Sequence, residues 1–356
     1  MALPAVKTLH ECLSFDDTVL RYLPQLYDLP QQIIKSWNNS AELQDLYLST
    51  NPLITAFAFS LFLAPLFLLI SEINKNYSQV DRMWSILPTL YIAHYTLYAH
   101  MSGLPTERLD HLVAVSTVWS VRLTFNYWRK GGYKIGGEDY RWAILRERIN
   151  PAVFFIFNVL FISLGQSILL FLITTPPYVM LLAARLRPEM SMVDIIFPRA
   201  LMLLILLEFT ADQQQWNFQT AKKLYQKTAK LPPKFEQEDL DRGFVVTGLW
   251  SWSRHPNFAA EQAIWVVVYQ WGCYITDTLY NWTLVGAISY LALFQASAWF
   301  SESISAGKYP EYKEYQRRVG KFIPRLSSDL PGDFSDEKVT PAVEEKKKKG
   351  AVAAKK

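Results

Sequence analysis

The sequence predicts an all-α fold: a polytopic membrane bundle of about seven helices with a cytosolic C-terminal segment. Three observations predict it. Residues 52–71 and 152–184 contain no Asp, Glu, Lys or Arg, and about 18 such residues already suffice for a helical span. The chain is 51% hydrophobic and 15% aromatic, with 12 Trp, 19 Tyr and 21 Phe, an aromatic load that suits belts at a bilayer interface. Basic residues collect in the segments between apolar runs. The mean hydropathy of +0.05 means that polar loops and a tail dilute the spans. A net charge of +4 is too small to imply a nucleic-acid partner. Cys12 and Cys273, the two cysteines of the chain, exclude a disulfide framework and a cysteine-based metal site.

Taken in order, residues 1–50 contain Glu11, Asp16, Asp17 and Arg21 and read as a lumenal segment rather than a cleavable signal peptide. The membrane domain covers 51–325. Its spans are residues 52–71, 83–100, 111–128, a run within 152–184, 193–214, 257–275 and 283–301. The fourth run is too long for one helix, and Pro176-Pro177 breaks it near the lumenal face. Residues 129–151, 216–256 and 302–356 are rich in Lys and Arg. All three fall on one side under a seven-helix count, so that side is cytosolic. The sequons Asn38-Asn39-Ser40 and Asn281-Trp282-Thr283 are then lumenal, the second too close to the bilayer to carry a glycan. Residues 326–356 form a disordered, lysine-rich cytosolic tail; its basic cluster either meets anionic headgroups or simply keeps the segment soluble.

The chemistry gathers at residues 248–261, Gly-Leu-Trp-Ser-Trp-Ser-Arg-His-Pro-Asn-Phe-Ala-Ala-Glu. Here Arg254, His255 and Pro256 open an apolar helix. Ser253 reads as its N-cap and Pro256 as its first turn. Free amide N–H groups, the helix dipole, a guanidinium and an imidazole all favour an anion there. Asn257 and Glu261 are four apart and share one face, and a carboxylate at that depth needs a partner such as an amide or a ribose hydroxyl. The alternative is an interfacial anchor whose Arg and His meet lipid phosphates. Arg122 lies inside a span and Asp81 at the start of the preceding one; they either pair to settle two costly charges or border a reactive centre. His94 and His100 read as packing or interfacial groups, with no Cys or carboxylate at metal-ligand spacing.

Ser253–Phe258 followed by Glu261 resembles the superfamily of steroid 5-alpha-reductases, delta-14 sterol reductases and isoprenylcysteine carboxyl methyltransferases. Within it, the chain is most similar to the steroid 5-alpha-reductase C-terminal-like membrane family. Residues 80–84 (Val-Asp-Arg-Met-Trp), 119–123 (Trp-Ser-Val-Arg-Leu), 137–141 (Gly-Glu-Asp-Tyr-Arg) and 208–214 (Glu-Phe-Thr-Ala-Asp-Gln-Gln) share in the resemblance, which spans roughly residues 50–325. It implies an endoplasmic-reticulum enzyme that uses NADPH to reduce a carbon-carbon double bond of a membrane-dissolved lipid. It also implies that Asn257 and Glu261 hold the nicotinamide or its ribose, Arg254 and His255 a phosphate, and Asp212 the adenosine half. Glu302, Tyr312, Tyr315 and Arg318 would close the cofactor site, with Arg317 or Arg318 reaching the extra phosphate of NADP. Tyr312 and Tyr315 equally suit an amphipathic interfacial helix. Asp81 and Arg122 would stand at the reactive end. Placing Arg122 on the reductases' matching arginine puts Trp119 where they carry a carbonyl-polarising tyrosine, and an indole cannot supply a phenolic proton. A 3-oxo-steroid is therefore not implied. The methyltransferase branch offers a second class of function, using S-adenosylmethionine, and a non-catalytic scaffold a third.

Overall fold

The computed structural model describes residues 2–324; the lysine-rich tail assigned to 326–356 lies outside them. The described residues are 74% helical, and among them no strand forms beyond one isolated bridge between Ser253 and Gly320. Helices α1 (Gln25–Ser36) and α2 (Ser40–Ser49) precede the first long apolar helix, α3 (Pro52–Asn74). Then come α4 (Gln79–Trp84), α5 (Leu87–Met101) and α6 (Glu107–Arg129). After a loop, α7 (Tyr140–Arg148) leads to α8, which is α-helical over Pro151–Phe157, π-helical over Asn158–Gly165 and α-helical again over Gln166–Leu172. Helices α9 (Thr175–Ala183), α10 (Met192–Thr228) and α11 (Gln237–Arg242) follow. The last three are α12 (Pro256–Ile275), α13 (Leu284–Lys308) and α14 (Tyr312–Arg318).

Among the described residues three segments, Pro52–Asn74, Pro151–Ala183 and Leu284–Lys308, are long and apolar enough to cross a membrane, and they mark the chain as a membrane protein. The long apolar run breaks at Ile173-Thr174, and Pro176-Pro177 sits in the first turn of α9. There the missing proline N–H groups leave no helical bond unmade. Every residue of α9 is buried, so this segment is a core plug against α12, α5 and α6 rather than a lipid-facing span.

The N-terminal segment is tied into the bundle. Asn51 Nδ2 donates to the Ala2 carbonyl (3.2 Å) and to the Tyr178 hydroxyl (2.9 Å), and Tyr178 in turn donates to the Thr18 carbonyl (2.7 Å). Asn51 also caps α3 through Leu53 N. His94 bridges Tyr47 and the Pro52 carbonyl, both at 2.9 Å, a packing role. The loop of residues 137–141 is pinned to the α3–α4 turn. Gly137 O accepts from Asn76 and Arg82, Glu138 from Tyr77 N, and Asp139 N donates to Ser78.

The most extensively packed helix pair among the described residues is α10 with α12. At the far end of this pair Arg108 of α6 meets Asp194 with two 3.0 Å bonds, while Trp271 Nε1 donates to the same carboxylate at 2.9 Å. Asp194 also completes a capping box with Ser191. A buried ion pair of this kind is held by its hydrogen bonds; removing one partner would strand the other charge.

Candidate functional site

The first two turns of α12 face the middle of α10 and α6, and there the sequence places acids inside apolar helices. Arg122 of α6 is the hub. Its Nη1 lies 2.9 Å from Glu208 and 2.8 Å from Asp212, both on α10, and its Nη2 lies 3.5 Å from Glu261 on α12. All four side chains are buried. Glu208 and Asp212 are one turn apart and share a face, so a single guanidinium meets both. One cation against three carboxyl groups leaves a surplus of acid, which at this depth must be met by hydrogen bonds, protons or a ligand.

Glu261 collects most of those bonds. Trp119 Nε1 donates to its Oε2 at 2.8 Å, while Trp265 Nε1 (3.0 Å) and the Tyr290 hydroxyl (2.6 Å) donate to its Oε1. Trp84 Nε1 lies 3.3 Å from the Tyr290 oxygen, its ring stacked on the tyrosine. Asn257 Nδ2 donates to Asp212 at 3.1 Å. Two polar atoms of the cluster, Arg122 Nε and Glu208 Oε2, are buried without a partner.

This cluster forms one wall of a cavity of about 560 Å³. Asp81, Glu208, Asp212, Asn257, Glu261 and Tyr290 line its polar side, with Lys130, Asp139 and Arg141 toward the loop end. Phe157, Phe161, Leu293, Phe294, Trp299 and Phe300 line its apolar side. Asp81 does not pair with Arg122; it accepts from Trp142 Nε1 at 2.8 Å. Arg141 forks onto Asp139 (2.9 Å) and reaches Ser297 of α13 at 2.5 Å. Among the described residues no group of His, Cys, Asp and Glu is arranged to hold a metal ion.

Arg254 and His255 belong to a second buried network. Arg254 Nε and Nη2 donate to the two oxygens of Glu302 at 2.7 and 3.1 Å, and His255 Nε2 lies 3.0 Å from the same carboxylate. Gln316 donates to Glu302 at 2.9 Å, and Arg254 Nη1 bonds the Gln316 and Val319 carbonyls. Ser253 does not cap α12. The residue before the helix is His255, and Ser253 Oγ donates to the Lys321 carbonyl at 3.0 Å. Backbone bonds from Arg254 N to Gly320 O and from His255 N to Lys321 O complete the clasp. Tyr312 and Tyr315 are packed around Phe244, with Tyr315 bonding the Trp250 carbonyl at 2.5 Å. Arg317 and Arg318 both pair with Glu314.

The structure thus brings Asp81, Asp212, Asn257 and Glu261 to the cavity wall, with Arg122 directly behind it. Arg254, His255, Glu302, Tyr312, Tyr315 and Arg318 lie off that wall; Arg254, His255 and Glu302 fasten the C-terminal segment to the start of α12, Tyr312 and Tyr315 pack on Phe244, and Arg318 pairs within its own helix with Glu314. Sequence reasoning missed the parts played by Glu208, Tyr290 and Gln166, each a polar residue within an apolar run.

A protein of Schizosaccharomyces pombe described as uncharacterized is 37% identical over 326 residues, covering 91% of this chain and 93% of its own length. No solved structure matches the chain. A family model described as a protein of unknown function (DUF1295) matches residues 67–319, most of the bundle and the whole site. The chain belongs to that family.

Proposed function

We propose that this protein is an NADPH-dependent reductase of a membrane-dissolved lipid, acting on a carbon-carbon double bond, as the resemblance to the steroid 5-alpha-reductase superfamily implies. The observation that carries the reading is the mixed lining of one cavity: acids and an amide from α10 and α12 beside aromatic residues from α8 and α13. The polar wall fits the nicotinamide end of the cofactor. A carboxamide and ribose hydroxyls need acceptors and a donor, which Asp212, Glu261, Asn257 and the unpartnered Glu208 Oε2 offer. Phosphates need cations. Glu302 occupies Arg254 and His255 and Asp139 occupies Arg141, so Lys130 on the cavity wall takes that role here. Arg254 then positions the first turn of α12 rather than touching the cofactor.

Bound NADPH supplies the hydride. The protein's task is orientation and proton delivery. Asn257 and Glu261, on adjacent turns of one helix, fix the ring plane. Tyr290 is the phenol on the wall, held between Trp84 and Glu261; turning its one O–H from Glu261 to the lipid would let it donate the proton that Trp119 cannot, with solvent returning a proton to the phenolate afterwards. Trp119 instead locks Glu261 in place. The aromatic wall keeps water from the reacting carbons.

We read α3, α5, α6, α8, α10, α12 and α13 as seven spans of the endoplasmic-reticulum membrane, with the basic loops and the C-terminus in the cytosol, where NADPH is available. Thermal unfolding of the purified protein in detergent, titrated with NADPH, NADH and S-adenosylmethionine, tests the reading. NADPH is expected to stabilise at micromolar concentration and NADH only at higher concentration. Glu261→Gln and Asn257→Ala abolish that shift in folded protein. Stabilisation by S-adenosylmethionine alone overturns the reductase in favour of a methyltransferase.

A further inference from the structure

Helices α8 and α13 run antiparallel and make their closest approach at one end. Gly286 of α13 sits against the Leu172 backbone so tightly that an added Cβ would lie 2.3 Å from the carbonyl oxygen. Further along, the two helices face each other across the cavity, Phe157 and Phe161 on one side and residues 293–300 on the other. The stretch of α8 that diverges contains the π-helical turn Asn158–Gly165. Such turns concentrate at functional sites because they shift a helix face without breaking it. The flanks of this opening are apolar and outward-facing: Ile156 is 55%, Leu160 61% and Trp299 67% exposed.

Gln166 ends the π-helical turn and lines the same cavity. Its side chain is 4% exposed, yet its Oε1 has no hydrogen-bond partner. A buried, unmatched carboxamide oxygen is destabilising, and its placement on a cavity wall makes a ligand the natural partner. The oxygen and nitrogen of an amide are interchangeable by a flip. A hydroxyl satisfies either arrangement, because it both donates and accepts; a carbonyl satisfies only one.

We infer that the gap between the π-helical turn of α8 and the second half of α13 is a lateral port for a membrane lipid alcohol, whose hydroxyl is recognised by Gln166. The hydrocarbon body lies along Phe157, Phe161, Phe294 and Phe300. This deepens the proposed reductase by naming its substrate class, and it rests on that reading only for the chemistry that follows binding.

The test is photo-crosslinking of the full chain in lipid nanodiscs. Two diazirine-bearing scaffolds serve, octadecanol and a sterol with a free hydroxyl, each beside its methyl ether. For at least one scaffold the alcohol is expected to label residues 157–166 and 293–300 about tenfold more than its ether, the discrimination expected of one buried hydrogen bond. Gln166→Leu removes that preference, and Ala296→Trp, at the rim, removes the labelling. Equal labelling by alcohol and ether overturns hydroxyl recognition, whether or not the variants fold, because both probes are compared on the wild type. Labelling confined to other helices overturns the port. The NADPH-induced thermal shift is read on the same preparation. Its absence beside the expected labelling removes the reductase and leaves the lipid site standing.

Discussion

Arg122 shows how much of the site one residue organises. It holds Glu208, Asp212 and Glu261 together, and Glu261 in turn gathers two indoles and a phenol. Its importance was visible in the sequence because an arginine inside an apolar run is costly and rarely idle. Tyr290 and Gln166 carried no such signal: a tyrosine or glutamine in an apolar helix usually packs, and only the cavity distinguishes these two. Arg254 and Glu302 were each visible as charges near the bilayer, but their pairing across 48 residues is a tertiary fact. Asp81 makes a test at this scale. Burial raises its carboxyl above the ordinary range, the neighbouring Asp139 carboxylate adds to this, and Trp142 and Arg141 oppose it. A raised native pKa means that the folded state holds the proton more tightly than the unfolded chain. The stability tied to that proton is present below the unfolded value and lost as pH rises through the folded one. Asp81→Asn keeps an acceptor for Trp142 while removing the titration. The variant is therefore expected to melt higher than wild type at neutral pH, with the gap closing as pH falls toward 4. A gap that stays constant with pH means that Asp81 titrates normally.

At the scale of elements, one helix boundary came as expected and another did not. Pro176-Pro177 was expected to break the long apolar run; the run is interrupted at Ile173-Thr174 and the pair opens the next helix, because Pro176 and Pro177 occupy positions whose N–H groups have no helical acceptor. Ser253 has the chemistry of an N-cap but spends its hydroxyl on the Lys321 carbonyl, so α12 starts uncapped at His255 and is held by the C-terminal clasp instead. Composition marks where a helix is able to start; the segment that packs against it decides. The α8–α13 contact rests on Gly286 in the same way. Its Cβ would meet backbone atoms of Leu172 and Ile173, not a movable side chain. Gly286→Ala is expected to cost about 1–3 kcal/mol through overpacking, despite alanine's better helix propensity. Thermal unfolding in detergent reads this directly, and an unchanged or raised melting temperature means that the two helices can part without penalty.

For the whole molecule, two buried charge networks stand at opposite ends of α12. Asp194, Arg108 and Trp271 bind its C-terminal end to α6 and α10, and Glu302, Arg254 and His255 bind its N-terminal end to α13 and the C-terminal segment. The cavity lies between them, so the site is held on a helix fixed at both ends. The proposed topology rests on lysine and arginine: the loops after α6 and α10 and the region after α13 are basic, the composition expected of a cytosolic side. Under that proposal Asn38, exposed beside the start of α2, lies in the lumen. Asn281 shares that side, but it is 9% exposed and bonds Cys273 and Thr283. In microsomes the full chain is therefore expected to carry one endoglycosidase-sensitive glycan, lost in Asn38→Gln and retained in Asn281→Gln. A C-terminal epitope should be protease-accessible without detergent. A protected C-terminus together with an unmodified Asn38 would invert the topology, moving the Lys130 end of the cavity to the lumen and away from cytosolic NADPH. The orientation of the bundle, on which the access of that cavity to cytosolic NADPH depends, is thus tested by one gel.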